Sequence, residues 1–139
     1  MKTFLVAAAL REQVAQPNSF YDCEGGRFRV GRRWIHEADA HHEFGELTVA
    51  EILAFSSNVG AAKMGLDLGD GLFYRALRDF GFGEKTGIDF PGESKGILNS
   101  LPWRDHLLAN VAFGHGIATT PLQLTTAYAA IANGGVWKS

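Results

Sequence analysis

Leu47-Thr48-Val49-Ala50-Glu51-Ile52-Leu53, running on into Ser56-Ser57-Asn58-Val59-Gly60, is the stretch on which the reading of this 139-residue chain turns. Thr48 with Glu51 three residues on spells a capping box, in which hydroxyl and carboxylate each satisfy an orphan N–H of a helix start. Leu47 and Ile52 stand where a hydrophobic staple would place them. These signals predict a helix from near Val49 to about Phe55. Ser56-Ser57-Asn58 then interrupts it, as short polar side chains favour turns. A second helix is expected from Val59 to Leu68, with Gly69 as its stop.

Working outward, Asp70 is placed to cap a third helix whose Leu72, Phe73, Ala76, Leu77 and Phe80 share one face, and Gly81 and Gly83 end it. Residues 81–118 read as loop with short extended pieces. Thr120-Pro121 opens a further helix: threonine is a good N-cap, proline suits the first helical position and Gln123 completes a second capping box. Leu124, Ala127, Tyr128 and Ile131 form its stripe, and Asn133-Gly134-Gly135 end it. Val136-Trp137 reads as the first residues of a strand.

Toward the N-terminus, residues 2 to about 15 read as a helix apolar all round, hence buried. The start also resembles a secretory signal, with Met1-Lys2 before an apolar run and Ala7-Ala8-Ala9 as a mimic of a cleavage site. That run stops at Arg11-Glu12, short of the roughly 15–30 residues a signal occupies. Phe28, Val30 and Ile35, punctuated by Gly25-Gly26 and Gly31, predict a hairpin or two small strands between Phe20 and Ile35. The fold class expected is mainly α with minor β, as one domain or part of one.

Composition narrows the function classes. With 46% apolar and 20% charged residues the chain has the make-up of a folded globular protein. A net charge of −2 gives no electrostatic reason to expect nucleic acid as partner. No run approaches the ~20 apolar residues that span a bilayer. Cys23 is the only cysteine, so no internal disulfide forms. His36, His41, His42 and Glu43 do not have the His-Glu-x-x-His spacing, and no metal site or cofactor is expected. Gly81-x-Gly83-Glu84-Lys85-Thr86 is not a phosphate loop, since Glu84 stands where glycine should precede the lysine.

The blocks, taken in order and spacing, resemble the penicillin-binding protein family. Leu47–Leu53 leading into Ser56-Ser57-Asn58 is similar to its second active-site motif. Phe80-Gly81-Phe82-Gly83, Thr86-Gly87-Ile88 and Pro91-Gly92-Glu93 resemble the loop that follows in the class B branch, with its division-septum transpeptidases. Thr120–Gly134 is similar to a later helix of the same domain. Met1-Lys2-Thr3-Phe4 resembles the stretch just after the family's catalytic serine, with Lys2 as the lysine of Ser-x-x-Lys. The serine would then lie three residues before Lys2, ahead of Met1.

That resemblance implies a partial transpeptidase domain over 1–139: the helical portion of the penicillin-binding and serine β-lactamase-like fold, with most of its central antiparallel sheet missing. It implies acyl transfer, in which a serine attacks a D-alanyl-D-alanine stem peptide, expels D-alanine and passes the acyl group to an amine. Lys2 would be the base, Ser56 would relay a proton, and Asn58 would bond the lysine and a substrate amide. Ser56 and Asn58 must face one cleft, which requires a break, because residues two apart on a helix point apart. Ser57, between them, is expected to pack away from that cleft. Gly114, His115 and Gly116 are expected to shape backbone on the substrate side.

Lys85-Thr86-Gly87 spells the family's third motif but has no strand-like run before it, and reads as a surface loop. The partners implied for the intact protein are peptidoglycan stem peptides, β-lactams and cell-division or elongation proteins, at the outer face of the inner membrane. The chain alone is expected to be inactive and marginally stable. The alternative is a secreted, non-catalytic binding module with residues 1–10 as a cleaved signal.

Overall fold

The computed structural model describes residues 1–87 and 91–134. The expected strand start at Val136-Trp137, together with Ile88 and Gly135, lies outside the described residues. Six helices are seen among them: α1 (Lys2–Arg11), α2 (Val49–Phe55), α3 (Asn58–Leu68), α4 (Asp70–Asp79), α5 (Asp105–Ala112) and α6 (Pro121–Ala132). Six short strands pair antiparallel, two by two. β1 (Phe20–Asp22) pairs with β4 (Glu46–Thr48), β2 (Arg27–Val30) with β3 (Arg33–His36), and β5 (Ile97–Leu98) with β6 (Ile117–Ala118).

Helix α3 is the hub, packing on α1, α2, α4 and α5. Small side chains allow this. A Cβ on Gly65 would come within 2.7 Å of the Ala112 Cβ on α5, and one on Gly60 within 2.6 Å of Ile52 on α2. The helices are therefore closer than side chains at these positions would permit.

The first helix is a core element. Phe4, Leu5 and Ala9 are fully buried. The Phe4 ring meets Phe80, Phe82 and Tyr128 at centroid distances of 4.9, 5.0 and 4.9 Å. Each large apolar side chain so buried contributes about 1.5–3 kcal/mol. The reading of residues 2 to about 15 as a buried helix therefore agrees with the packing over Phe4–Ala9. The helix stops at Arg11 rather than near residue 15, because Gln13 turns to φ 58°.

Both capping boxes form. Thr48 Oγ1 accepts from Glu51 N while Glu51 Oε1 accepts from Thr48 N, and Thr120 and Gln123 repeat the pattern. The staple residues Leu47 and Ile52 are buried. At α4 the N-cap is Gly69, not Asp70. Asp70 instead sits in the first turn, where its carboxylate accepts from Gly71 N and reaches Trp103 N at 3.0 Å.

Helix α5 lies inside the segment that reads as loop. Its N-cap is Arg104, which makes no side-chain capping bond, so no capping signal marks it. Its Leu108, Ala109, Val111 and Ala112 are buried against α3. The stripe on α6 is only partly covered: Ala127 is buried, whereas Tyr128 and Ile131 remain 46% and 38% exposed.

Candidate active site

The interruption between α2 and α3 is a built turn. Ser56 closes α2 in the left-handed region, at φ 59° and ψ 45°, and is exposed. A non-glycine residue there costs about 1–2 kcal/mol, which the surrounding structure must offset. Ser57 returns to extended backbone and opens α3, its Oγ accepting from Gly60 N at 3.0 Å. Two consecutive serines thus face opposite ways. Ser57 is 1% exposed, turned into the protein, while Ser56 points out.

Ser56 meets Lys2 there. Lys2 opens α1, and its Nζ donates to Ser56 Oγ at 2.8 Å. Half-buried beside the turn, the Lys2 ammonium has its pKa lowered from the ordinary lysine value. Desolvation is the largest cause, and the Glu37 carboxylate opposes it.

Glu37 is the residue that sequence reasoning missed. It follows β3, is 7% exposed, and accepts from three donors at the start of α3. Its Oε2 takes Ser57 Oγ at 2.7 Å, and its Oε1 takes Asn58 N at 2.6 Å and Val59 N at 3.2 Å. A carboxylate here satisfies helix N–H groups that have no partner within the helix and faces the positive end of the helix dipole. Ser57 Oγ also lies 3.6 Å from Cys23 Sγ. A hydroxyl has one proton, and the shorter contact to a carboxylate takes it. Cys23 is buried, and that burial pushes its thiol pKa up. No local pattern marks Glu37 in the sequence. It stands 21 residues from Asn58 and serves a helix it does not belong to.

Asn58 is half-buried at the first position of α3. Its Nδ2 donates to the His36 carbonyl at 3.1 Å. Lys2 donates to Ser56 rather than to Asn58. The side-chain oxygen remains as an acceptor with two lone pairs.

Gly114-His115-Gly116 forms the turn after α5, with φ 98° at Gly114 and 75° at Gly116. A Cβ on Gly114 would lie 3.6 Å from the Met1 Cβ, so this turn adjoins the Lys2 end of α1. The exposed His115 ring rests against Phe113 at 4.8 Å, and its backbone N–H donates to Asn110 O.

Lys85-Thr86-Gly87 lies in a loop, not on a strand. Thr86 N and Oγ1 both donate to Glu93 Oε1, at 2.7 and 2.6 Å. His41 and His42 occupy the loop after β3, where His42 Nε2 is 3.8 Å from Asp39 Oδ2. Among the described residues no group of three His, Cys, Asp or Glu side chains converges on a point that could hold a metal. No helix among them is long and apolar enough to cross a membrane.

A lysine on a buried helix and a serine at a helix break are thus in contact, and an asparagine opens the next helix beyond that break. Comparison with known proteins gives this a context. The sequence profile of the penicillin binding protein transpeptidase domain matches residues 1–139. The chain belongs to that family. Its curated relatives include stage V sporulation protein D of Bacillus subtilis, 37% identical over 96% of this chain and 21% of that protein. Peptidoglycan D,D-transpeptidase FtsI of Escherichia coli K12 is 31% identical over 99% of this chain and 23% of its own length. The chain therefore spans about a fifth of the curated relatives it matches.

Solved structures agree on the fold. The transpeptidase domain of Burkholderia pseudomallei penicillin-binding protein 3 superposes with a TM-score of 0.90 at 29% identity, over 99% of this chain and 43% of that one. Penicillin-binding protein 3 of Mycobacterium tuberculosis, in complex with aztreonam, gives 0.87 at 32% identity, over 98% and 30%. The mainly helical α+β architecture is that of the family's transpeptidase domain.

Proposed function

We propose that this chain carries part of the acyl-transfer centre of a peptidoglycan D,D-transpeptidase, with the nucleophilic serine and the strand-borne Lys-Thr-Gly lying outside the 139 residues. The observation that carries the reading is the 2.8 Å contact between Lys2 Nζ and Ser56 Oγ. A lysine whose proton is loosened by burial is what a serine nucleophile needs beside it, since serine is unreactive at its free pKa.

In this reading the serine one turn before Lys2 gives its proton to Lys2 as it attacks the D-alanyl-D-alanine carbonyl. The carbon–oxygen bond of the acyl-enzyme forms and the peptide C–N bond breaks. Ser56, hydrogen-bonded to Lys2, relays a proton to the departing D-alanine amine. The acceptor amine then attacks the ester, loses its proton along the same path and releases the serine. Asn58 orients the substrate through its side-chain oxygen, which can accept from a backbone amide. Gly114, His115 and Gly116 line the substrate side, where positive-φ glycines bring backbone close to the ligand.

Stem peptides, and the β-lactams that imitate them, are the ligands of the intact protein in this account. It works on the outer face of the inner membrane with division or elongation partners. Incubation of the 139-residue chain with a fluorescent penicillin, followed by a denaturing gel, tests the division of labour. No covalent label is expected on this chain. A stable labelled band would place a competent nucleophile inside it and overturn the reading.

A further inference from the structure

The hairpin β2–β3 carries a surface that the acyl-transfer chemistry does not use. Arg27, Arg29, Arg32 and Arg33 place four of the chain's 13 Lys and Arg side chains within seven residues, although the whole chain is net −2. All four are exposed. Among the described residues none of them has a carboxylate within ion-pairing distance.

Register sorts the faces. Phe28 pairs with Ile35, which is buried with Val30, and this face packs inward. Arg29 pairs with Trp34 and Arg27 with His36, so these four share the outward face. Trp34 is 49% exposed, with the Arg27 guanidinium 4.9 Å from its ring. Guanidinium forks bind carboxylates in two-point fashion, and an indole offers a rigid amphipathic plate.

We infer that the outward face of the β2–β3 hairpin is a docking surface for a carboxylate-bearing glycan strand, guiding an uncrosslinked peptidoglycan polymer toward the Ser56–Asn58 turn. Charge complementarity selects a polyanion. The choice of a glycan among polyanions rests on the acyl-transfer reading. An anionic bilayer fits less well, because a single indole supplies too little apolar area for interfacial binding. The placement is direct: His36 ends the hairpin and its carbonyl holds Asn58. Trp34 stands two residues from His36, about 7 Å along a strand. Asp39 and Glu43 border the depression beside Arg27 and His36, so the most positive end of the outward face is the Arg29 end, toward the hairpin turn.

The test is titration of the 139-residue chain with soluble, uncrosslinked peptidoglycan strands, followed by tryptophan fluorescence at low and moderate salt. Arg27→Glu and Arg29→Glu, both on the outward face, are each expected to weaken binding at least tenfold, and Trp34→Ala several-fold. Strands with amidated carboxylates should bind the wild type as weakly as the variants bind the native strands. Arg29 Nε donates to the Gly31 carbonyl, so its loss disturbs the turn; the Arg27 side chain makes no such bond and separates charge from folding. Circular dichroism of each variant should match wild type.

Unchanged affinity in Arg27→Glu would overturn the proposal. So would binding to phosphatidylglycerol vesicles or single-stranded DNA in preference to strands. Loss of strand binding in Lys2→Ala or Asn58→Ala would also overturn it, by assigning the contact to the acyl-transfer centre. Conversely, failure of the acyl-transfer reading shows in penicillin labelling and leaves strand binding to the hairpin intact.

Discussion

Lys2 Nζ and Ser56 Oγ lie 2.8 Å apart across 54 residues of sequence. Two local choices make that contact. Lys2 opens a helix whose next turns are buried, which fixes where its side chain begins. Ser56 takes a left-handed backbone that throws its hydroxyl outward at the end of α2. Neither residue gains stability from its position, since one is a desolvated amine and the other a strained serine. Groups held at a cost by their surroundings are the ones to suspect of chemistry.

Ser56→Gly should therefore be neutral or stabilising by up to about 1 kcal/mol, because glycine accepts φ 59° without strain. Ser57→Ala should do the reverse. It removes the cap on Gly60 N and leaves a Glu37 oxygen without its donor, at a cost of about 2–3 kcal/mol. Urea melts of the two variants check the opposite signs.

Glu37→Ala should be among the most damaging single changes near the turn. It strands the Ser57 hydroxyl and the N–H groups of Asn58 and Val59, costing about 3 kcal/mol or more. Amide hydrogen exchange at Asn58 and Val59 should accelerate ahead of global unfolding. Equal protection in variant and wild type would mean that the carboxylate does not hold this helix start.

Lys2 sets a pH dependence of known sign. Its folded-state pKa lies below the ordinary 10.5, so between those two values the unfolded chain holds more protons than the folded one. Stability contributed by this group therefore rises with pH through that window and is lowest when the ammonium is fully charged. Tyr21, pushed up to about 12 chiefly by burial, acts in the opposite sense above its ordinary value of 10.0. Comparing wild type with Lys2→Met above the ordinary Met1 amine value of 8.0 and below pH 10.0 isolates the lysine. The Met1 amine, which the Lys2 charge also lowers, is past its titration there. Glu37→Gln should lower the Lys2 pKa further, read from the Lys2 13Cε shift, because the opposing carboxylate charge is gone.

Gly65→Ala tests the packing of the hub. Its new methyl would sit 2.7 Å from the Ala112 Cβ, and neither group can rotate away. Forcing α3 and α5 apart should cost about 1–3 kcal/mol. A lower urea midpoint with an unchanged m-value is the expected result.

The helix starts at Val49 and Pro121 were legible because a capping box is a local pattern, complete within four residues. The opening helix was legible from its unbroken apolar run. Helix α5 was not, since Arg104 supplies no cap and only contact with α3 gives the helix its reason to form. The same limit governs the site. Ser56 and Asn58 announce themselves as an interruption, whereas Glu37 acts through a contact 20 residues away and the basic face of β2–β3 depends on strand register. Asn58 shows the limit from the other side. Its partner is the His36 carbonyl, a backbone group that no side-chain pattern could nominate.

Penicillin labelling of the whole gene product, read through from the coding DNA on both sides of this segment, tests the central claim most directly. Lys2→Ala should abolish the covalent adduct and Asn58→Ala should slow its formation, while Lys85→Ala should label like wild type. Full labelling of Lys2→Ala, or its loss in Lys85→Ala, would contradict the assignment of Lys2, Ser56 and Asn58 to the acyl-transfer centre.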